Sequence, residues 1–326
     1  PISRHGSVEN FWEKIVIMEM SSVPQRIHSS HRIETLYLER EVMEYPWVQK
    51  FLGRFAPSRI VPISDVKEIV ESCPGRPYPL DEQAFHTMLI GKQKGPFVRR
   101  CPCSPHTVRC GYHFVSVGLG CPIDCSYCFL QGFLNTSFPV LYVNFQDLER
   151  ELDELERKAA EKKECIRMGT GEMTDSLVFE PITFFAQDLL QRFSRWSHLI
   201  LELKTKSTFV DTLLDSAIPN VVLAWSLTPD EIAAVEEPHA PSNTQRLLAA
   251  FRAHKSGYRV GFHFDPIMAC PDWETMYFRT LCQLFEFIPA SQIAWISLGA
   301  FRIFPAFRDT IRSRHPQSQL LLREMV

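Results

Sequence analysis

The sequence predicts an α/β fold, a partial (β/α)6 TIM-like barrel that follows an irregular N-terminal extension. Short apolar and β-branched runs recur from His113 onward, each of a length that suits a buried strand. Helical segments fall between these runs, and strand and helix alternate in this way in a parallel sheet with right-handed crossovers. We therefore expect an extension over residues 1–112 and a barrel over residues 113–326.

Each element of the predicted barrel has its own signal. The clearest helix runs from Phe145 to Lys163, where apolar residues recur at helical spacing and Asn144 stands at the N-cap position. Many prolines and mixed periods in the extension predict no architecture for it. The predicted strands are His113–Val117, Cys165–Gly169, Leu199–Leu203, Val221–Ser226, Tyr258–Asp265 and Ile293–Leu298. The other predicted helices are Ile182–Trp196, Thr244–His254 and Trp273–Phe287.

Composition excludes several classes of protein. With 45% hydrophobic and 22% charged residues in 326, the chain is ordinary globular material and not a disordered one. A net charge of −3 gives no global positive field for nucleic acid, so a polyanion partner must meet a local basic patch. No apolar stretch approaches the roughly 20 residues of a membrane span, and the first residues lack a signal-peptide core. We expect a cytoplasmic protein without membrane contact.

Three of the ten cysteines, Cys121, Cys125 and Cys128, lie within eight consecutive positions just after the first predicted barrel strand. In barrels of this kind the chemistry sits on loops at the carboxyl ends of the strands, so the loop is well placed for a site. Thiolates at close spacing can wrap three corners of an iron–sulfur cubane. The alternatives are buried thiols and a zinc ion completed by a distant histidine, although structural zinc usually has four protein ligands.

The Cys-x3-Cys-x2-Cys spacing, with aromatic Tyr127 before the last cysteine, resembles the signature of the radical SAM superfamily. The resemblance implies a [4Fe–4S] cluster on the three thiolates, with S-adenosylmethionine (SAM) on the fourth iron. It also implies an external electron donor such as flavodoxin or ferredoxin. One electron then cleaves SAM into methionine and a 5′-deoxyadenosyl radical.

Later strands end in polar groups suited to SAM, a zwitterion with a ribose. The segment from Gly169 to Asp175 resembles the family's Gly-Gly-Glu element, which implies SAM contacts for this loop. Alternatively it is a glycine turn with a solvated glutamate, and the other groups are internal barrel ion pairs, as His263 is in one interpretation. Buried polar groups need partners in either case. The candidate SAM-binding residues are Tyr127, Gly171, Glu172, Thr174, Lys206, Ser226, Asp265 and Arg302.

A closer resemblance begins at Cys128–Phe129–Leu130–Gln131, which is similar to the Cys-Tyr-Leu-Gln of spore photoproduct lyases. Local matches at Glu41–Pro46, Ile90–Lys92 and Phe301–Arg302 extend it over most of the chain. The resemblance implies radical repair of a methylene-bridged thymine dimer and hence DNA as a partner. Where the lyases have a hydrogen-donor cysteine, this sequence has Glu172, and a carboxylate O–H bond is too strong to quench a carbon radical. The lyase reaction in its known form therefore needs another donor here.

Candidates for that catalytic role are Cys101 and Cys110, upstream of the first barrel strand, and Tyr127 as a radical relay. Together with Cys103 the two upstream cysteines could instead bind a second metal, or pack as small hydrophobes. Cys165, Cys270 and Cys282 are interpreted as structural. Basic residues near the extension that could contact phosphates are Lys92, Lys94, Arg99, Arg100 and Arg109.

Two other functions stay open. A radical SAM enzyme of this kind could modify RNA, a peptide or a small molecule. A protein of another class would bind an iron–sulfur cluster or zinc without catalysis and sense redox state or a partner.

Overall fold

The computed structural model describes residues 33–72, 86–103, 108, 110–134 and 136–322. Its strands, numbered in chain order, are β1 Thr35–Glu39, β2 Arg59–Ile63, β3 Thr87–Gly91, β4 Val98–Arg100, β5 His113–Val115, β6 Gly118–Leu119, β7 Val140–Tyr142, β8 Ile166–Gly169, β9 Leu199–Thr205, β10 Val221–Ser226, β11 Arg259–Ile267 and β12 Ile293–Ala300. Its α-helices are α1 Pro46–Arg54, α2 Val66–Ser72, α3 Leu130–Phe133, α4 Phe145–Lys162, α5 Glu180–Thr183, α6 Phe185–Phe193, α7 Asp230–Glu236, α8 Asn243–Lys255, α9 Trp273–Phe287 and α10 Arg308–Arg314. Short 3-10 turns occur at Arg40–Val42, Asp211–Leu213, Ala290–Gln292, Pro305–Phe307 and Leu320–Leu322.

A seven-stranded sheet forms the barrel, in the order β12-β11-β10-β9-β8-β5-β4. Strands β5 and β8 to β12 are parallel and adjacent in chain order, and β4 adds to β5 in the antiparallel sense. Within the described part of the chain no ladder joins β12 to β4, so the barrel is open. This confirms the predicted partial (β/α)6 barrel, since each of the six predicted strands overlaps one of its parallel strands.

All four predicted helices are present, as α4, α6, α8 and α9, but the one predicted over Ile182–Trp196 is shorter, Phe185–Phe193. It does not begin at Ile182, because the chain turns at Phe184 with a left-handed φ of 53° between α5 and α6. The buried Glu180 carboxylate accepts hydrogen bonds from Ala186 N–H (2.7 Å) and Gln187 N–H (3.2 Å). The Glu180 carboxylate therefore caps α6, because it accepts hydrogen bonds from N–H groups that have no partner within the first turn of that helix.

The N-terminal part is more regular than its sequence indicates. A second sheet has the order β2-β1-β3-β7-β6, with β2, β1, β3 and β7 parallel. Buried Glu39, at the end of β1, accepts hydrogen bonds from Lys92 N–H (2.7 Å) and Val66 N–H (3.2 Å), the first residue of α2. Because β4 joins the barrel sheet while β6 and β7 join this one, the two sheets interleave along the chain.

Parallel strands place their carboxyl ends at one edge of the sheet, and in this barrel the loops at that edge form the site. The core packed around the strands includes large apolar side chains, with Trp225, Tyr258, Phe262 and Phe264 at most 2% exposed. None of the described helices is both long and apolar enough to span a membrane.

Candidate active site

The cysteine loop lies between β6 and α3 and is fixed by hydrogen bonds from other loops. Gly120 N–H donates to Met173 O (2.8 Å), and Ser126 N–H donates to Glu236 O (2.9 Å). The Gln131 side chain donates to Ser126 O (2.6 Å). Gly120 has a φ of 87°, a conformation that favours glycine, so the residue before Cys121 is glycine for a backbone reason.

Within this loop Cys125 is buried and Cys121 and Cys128 are half-buried. Loss of solvation raises the pKa of all three thiols. A buried thiolate is costly unless a cation lies beside it, and a metal centre supplies that charge. The donor set of three soft sulfurs on one short loop therefore fits an iron–sulfur cluster.

The spacing of the sulfurs separates two kinds of metal centre. Around one tetrahedral zinc ion with Zn–S bonds of about 2.3 Å, sulfurs stand about 3.8 Å apart. In the described part of the chain, the one trio of Cys, His, Asp or Glu ligand atoms lying within 4.8 Å of one another is elsewhere, at residues 101, 103 and 110. Cys121, Cys125 and Cys128 are thus spread more widely than a single ion requires, as a multinuclear cluster demands.

The three cysteines line a cavity of about 550 Å³ at the carboxyl edge of the barrel. All eight residues predicted to bind SAM line the same cavity, from the cysteine loop, from the loops after β8, β9 and β12 and from the ends of β10 and β11. Their individual roles stay predictions. They are Tyr127, Gly171, Glu172, Thr174, Lys206, Ser226, Asp265 and Arg302.

The loop after β8 presents a charged pair to this cavity. Glu172 Oε1 is 2.6 Å from Lys204 Nζ, and both side chains are part-exposed. Burial lowers the pKa of Lys204, but the Glu172 carboxylate offsets this and the net shift is upward, so Lys204 is an ammonium. A β-carbon on Gly171 would lie 2.7 Å from the Lys204 Cβ and carbonyl oxygen, so only glycine fits this approach of two loops.

Asp175 joins the loops after β8 and β9 and was not predicted as a site residue. Its carboxylate accepts hydrogen bonds from Thr205 Oγ1 (2.6 Å), Lys206 N–H (2.7 Å), Leu177 N–H (2.9 Å) and Val178 N–H (3.0 Å). A carboxylate with four donors is well satisfied in a part-buried position. It therefore sets the position of the Lys206 backbone relative to the Glu172 loop.

A buried ion pair between Glu237 and Arg246 lies next to residues that line the cavity. Both side chains are fully buried and hydrogen-bonded to each other. Glu237 also accepts from Thr228 Oγ1 (2.7 Å), and Arg246 donates to Ser226 O (2.8 Å) at the end of β10. Burial raises the pKa of Glu237, but Arg246 and Lys206 offset this and hold it well below its ordinary value. No pattern in the sequence marks this pair.

Tyr127 and Lys206 connect that pair to the cavity. The Tyr127 hydroxyl donates to Glu237 Oε1, and burial together with the Glu237 charge raises the pKa of Tyr127 well above its ordinary value. Lys206 Nζ lies 3.9 Å from Glu237 Oε1 and 5.6 Å from the centre of the Tyr127 ring. The protonated Tyr127 is thus held in the loop that carries Cys125 and Cys128, and its relay role stays a prediction.

Ser226, Asp265 and Arg302 also line the cavity and differ in their exposure. Ser226 is buried at the end of β10, whereas Asp265 and Arg302 are exposed. The Asp265 carboxylate lies close to the backbone of β12, since a β-carbon on Gly299 would meet its Oδ1 at 2.3 Å. Exposed aromatic rings of Phe129 and Phe304 line the cavity beside them.

His263 does not line the cavity, and the alternative of an internal barrel pair holds for it. Its Nε2 lies 2.6 Å from Glu202 Oε1 and its Nδ1 lies 2.6 Å from Ser297 Oγ. Trp295 Nε1 donates to the same Glu202 oxygen (2.9 Å). Burial raises the pKa of Glu202, but His263 offsets this and the net shift is downward. Both ring nitrogens of His263 are therefore engaged inside the barrel.

Cys101 and Cys110 do not line the cavity. Both precede the amino end of β5 in the hairpin with β4, whereas the cysteine loop follows the carboxyl end of β5. This position gives their predicted catalytic role no support. Cys165 and Cys282, interpreted as structural, are exposed, and Cys270 is half-buried.

Two of the basic residues that could meet phosphates have acidic partners. Lys94 Nζ is 2.5 Å from Asp65 Oδ2, and Lys92 Nζ is 3.6 Å from Glu41 Oε2. Such pairs reduce the positive charge available to a phosphate. Arg99 and Arg100 are exposed on β4, and Arg109 lies outside the described residues.

Comparison with known proteins gives concordant matches. The family model described as spore photoproduct lyase matches residues 31–325. The spore photoproduct lyase of a Geobacillus species is 24% identical over 300 residues, covering 89% of this chain and 84% of that protein. The spore photoproduct lyase of Bacillus subtilis is 24% identical over 302 residues, with the same coverage.

Solved structures share the fold. A mutant spore photoproduct lyase with bound AdoMet and dinucleoside spore photoproduct superposes with a TM-score of 0.74 at 22% identity, covering 88% of this chain and 84% of that chain. Spore photoproduct lyase complexed with dinucleoside spore photoproduct gives a TM-score of 0.74 at 21% identity, covering 89% and 85%. AdoMet is another name for SAM.

Proposed function

The chain belongs to the spore photoproduct lyase family, and we propose that it is a radical SAM enzyme that acts on thymine-dimer lesions in DNA. One observation supports the proposal above the others: the cysteine triplet and all eight residues expected to bind SAM line one cavity. Relatives at 24% identity carry the lyase name, and a solved relative binds both AdoMet and the lesion dinucleoside.

Cys121, Cys125 and Cys128 would hold the [4Fe–4S] cluster, since three thiols of one loop line the cavity and lack the tight spacing of a single-ion site. When bound, the reduced cluster supplies the electron that cleaves SAM into methionine and a 5′-deoxyadenosyl radical. The Glu236 and Met173 carbonyls hold the loop, so its shape does not depend on the cysteines alone.

The chain supplies opposite charges for the methionine end of SAM. Glu172 offers a carboxylate to the ammonium, with Lys204 fixing its orientation at 2.6 Å. Lys206 offers an ammonium to the carboxylate, held in place by Glu237 and the Tyr127 ring. Ser226 and Asp265 line the same cavity, and their hydroxyl and carboxylate oxygens suit the ribose. Binding therefore uses groups from four strand ends.

The reaction must differ from that of the lyases in its last step. Glu172 stands at the position that the resemblance gives to the hydrogen-donor cysteine, and its carboxylate is engaged by Lys204. A product radical therefore takes its hydrogen from another group. Tyr127 is the candidate on the cavity wall, because its hydroxyl stays protonated.

Anaerobic reconstitution tests the enzyme class. The iron-loaded protein, reduced by dithionite or by flavodoxin or ferredoxin, should convert SAM into 5′-deoxyadenosine. Cys125→Ser should lose both the iron and this cleavage, whereas Cys165→Ser, at an exposed cysteine outside the cavity, should retain them. A chain that carries no iron or sulfide under these conditions would be a binding or sensor protein and not a radical enzyme.

A second experiment tests the substrate. Oligonucleotides that contain a deuterium-labelled methylene-bridged thymine dimer are compared with oligonucleotides that lack it. Only the lesion should be consumed, and its deuterium should appear in 5′-deoxyadenosine. Binding should weaken as salt rises, because phosphate contacts release counterions. If SAM is cleaved but the lesion is not consumed and DNA does not bind at low salt, the substrate is instead RNA, a peptide or a small molecule. The glutamate at the donor position is the observation that keeps this second function open.

A further inference from the structure

Three cysteines outside the cavity, Cys101, Cys103 and Cys110, bring their sulfur atoms together. Cys103 Sγ lies 3.6 Å from Cys110 Sγ and 3.9 Å from Cys101 Sγ. All three sulfurs lie within 4.8 Å of one another. Three thiols from a stretch of ten residues thus converge on one point.

From this geometry we infer that Cys101, Cys103 and Cys110 bind a single Zn²⁺ ion, separate from the cluster site. Sulfurs on one tetrahedral zinc stand about 3.8 Å apart, since each Zn–S bond is about 2.3 Å. The Cys103–Cys110 and Cys103–Cys101 sulfur separations, 3.6 and 3.9 Å, lie on either side of that value. The contrast with the wider cysteine loop of the cavity assigns zinc to the tight trio and a multinuclear cluster to the wide one.

The local backbone is built to bring the three side chains together. Cys101 N–H donates to Tyr112 O (2.8 Å), which extends the β4–β5 ladder by one rung beyond Arg100 and His113. Cys101 and Cys110 therefore lie on the two arms of one hairpin. Cys103 has a left-handed φ of 45°, a conformation uncommon for a residue with a β-carbon, which turns the chain between them.

Charge and exposure suit a structural ion. Three thiolates around Zn²⁺ leave a net charge of about −1, and the chain places Arg99 and Arg100 directly before Cys101. Cys110 is exposed, so the site differs from a closed four-ligand zinc site in having three protein ligands and a fourth position that water can reach. Because β4 is the edge strand of the barrel sheet, the ion would close the hairpin that ends the sheet.

A disulfide and a hydrogen donor are the two other uses of these thiols. A disulfide between Cys103 and Cys110 would join two sulfurs at about 2.0 Å and leave Cys101 aside, whereas all three converge here. A hydrogen donor must reach the cavity, and none of the three lines it. Zinc is the use that engages all three sulfurs where they lie.

Metal analysis of the anaerobically purified, reconstituted protein tests the inference, and its result does not depend on catalysis. Wild type should contain about one zinc per chain in addition to iron. Cys103→Ser should lose the zinc and keep the iron, and Cys125→Ser should do the reverse. Cys165→Ser is the matched control and should keep both. Co²⁺ added to chelator-treated wild type should give a thiolate-to-cobalt charge-transfer absorption that Cys103→Ser lacks.

Three results would overturn the inference. The first is wild type with trace zinc only and no charge-transfer absorption. The second is zinc that survives Cys103→Ser but disappears with Cys125→Ser, which would put the ion in the cavity. The third is a thiol titration of the native chain that finds a Cys103–Cys110 disulfide. If Cys103→Ser does not fold, chelation of wild type replaces it, and zinc should leave while iron remains.

Discussion

Replacing Glu237 by glutamine tests whether the buried ion pair supports the cavity. Glu237 and Arg246 are fully buried, so the neutral amide would leave the guanidinium with carbonyl partners alone, Pro241 O and Ser226 O at 2.8 Å. Breaking a buried pair on one side costs about 3–5 kcal/mol. That is a large part of a stability of about 5–15 kcal/mol, and it should lower Tm by roughly 5 °C.

Urea and thermal unfolding of the Glu237→Gln variant measure this cost directly. Glu154→Gln is the control, since Glu154 forms only exposed pairs on α4, whose loss should leave the free energy of unfolding almost unchanged. A Glu237→Leu, Arg246→Met double variant should regain part of the loss, because the buried guanidinium is gone, although Lys206 and Tyr127 still lack the Glu237 carboxylate. A loss below about 1 kcal/mol for Glu237→Gln, or a double variant less stable than the single one, would refute the reasoning.

Three further predictions concern separate parts of the chain. Gly171→Ala should reduce SAM cleavage at least about tenfold, because its β-carbon would lie 2.7 Å from Lys204, whereas Gly53→Ala has nothing within 4 Å and should have no effect. Lys206→Met should raise KM for SAM roughly tenfold to a hundredfold, the value of a hydrogen bond to a charged group. Burial raises the pKa of Glu180 to about 7, so the free energy of unfolding should fall by about 3 kcal/mol as pH rises from about 4.5 to about 7, and Glu180→Gln should flatten this slope. A variant with unchanged slope would contradict the Glu180 prediction.

The barrel was predictable because its central strands are buried on both faces and read as continuous apolar runs. Val221–Ser226, for example, is buried at every position, and the same bounds follow from the sequence. Polar residues at the ends of such runs then had to meet at one edge, which is why Lys206, Ser226 and Asp265 were found together. In a parallel sheet, polar residues that follow successive strands in the sequence therefore lie together at one edge.

The features that were missed depend on pairing across distance. Strand β2 contains Pro62 and is exposed at three of its five residues, so it lacks the signal of a buried strand. The same sheet also contains β7, Val140–Tyr142, which pairs with β3 although it lies far along the chain. No local sequence pattern predicts this pairing. The helix break at Phe184 depends on where the Glu180 carboxylate points, and the Glu237–Arg246 pair depends on packing between α8 and the segment after α7.

The resemblance to the lyases aligns Glu172 with their donor cysteine, and a carboxylate needs a counter-charge that a thiol does not. Lys204 supplies it at 2.6 Å, and the close approach of these loops in turn requires Gly171. Both charges face a cavity wall that already carries Lys206. Glu172 therefore suits orientation of a cationic group, such as the SAM ammonium, and is unsuited to hydrogen transfer. We expect the product radical to take its hydrogen from Tyr127 or from a group of the substrate itself. Identifying the substrate is therefore necessary to identify the hydrogen donor of this chain.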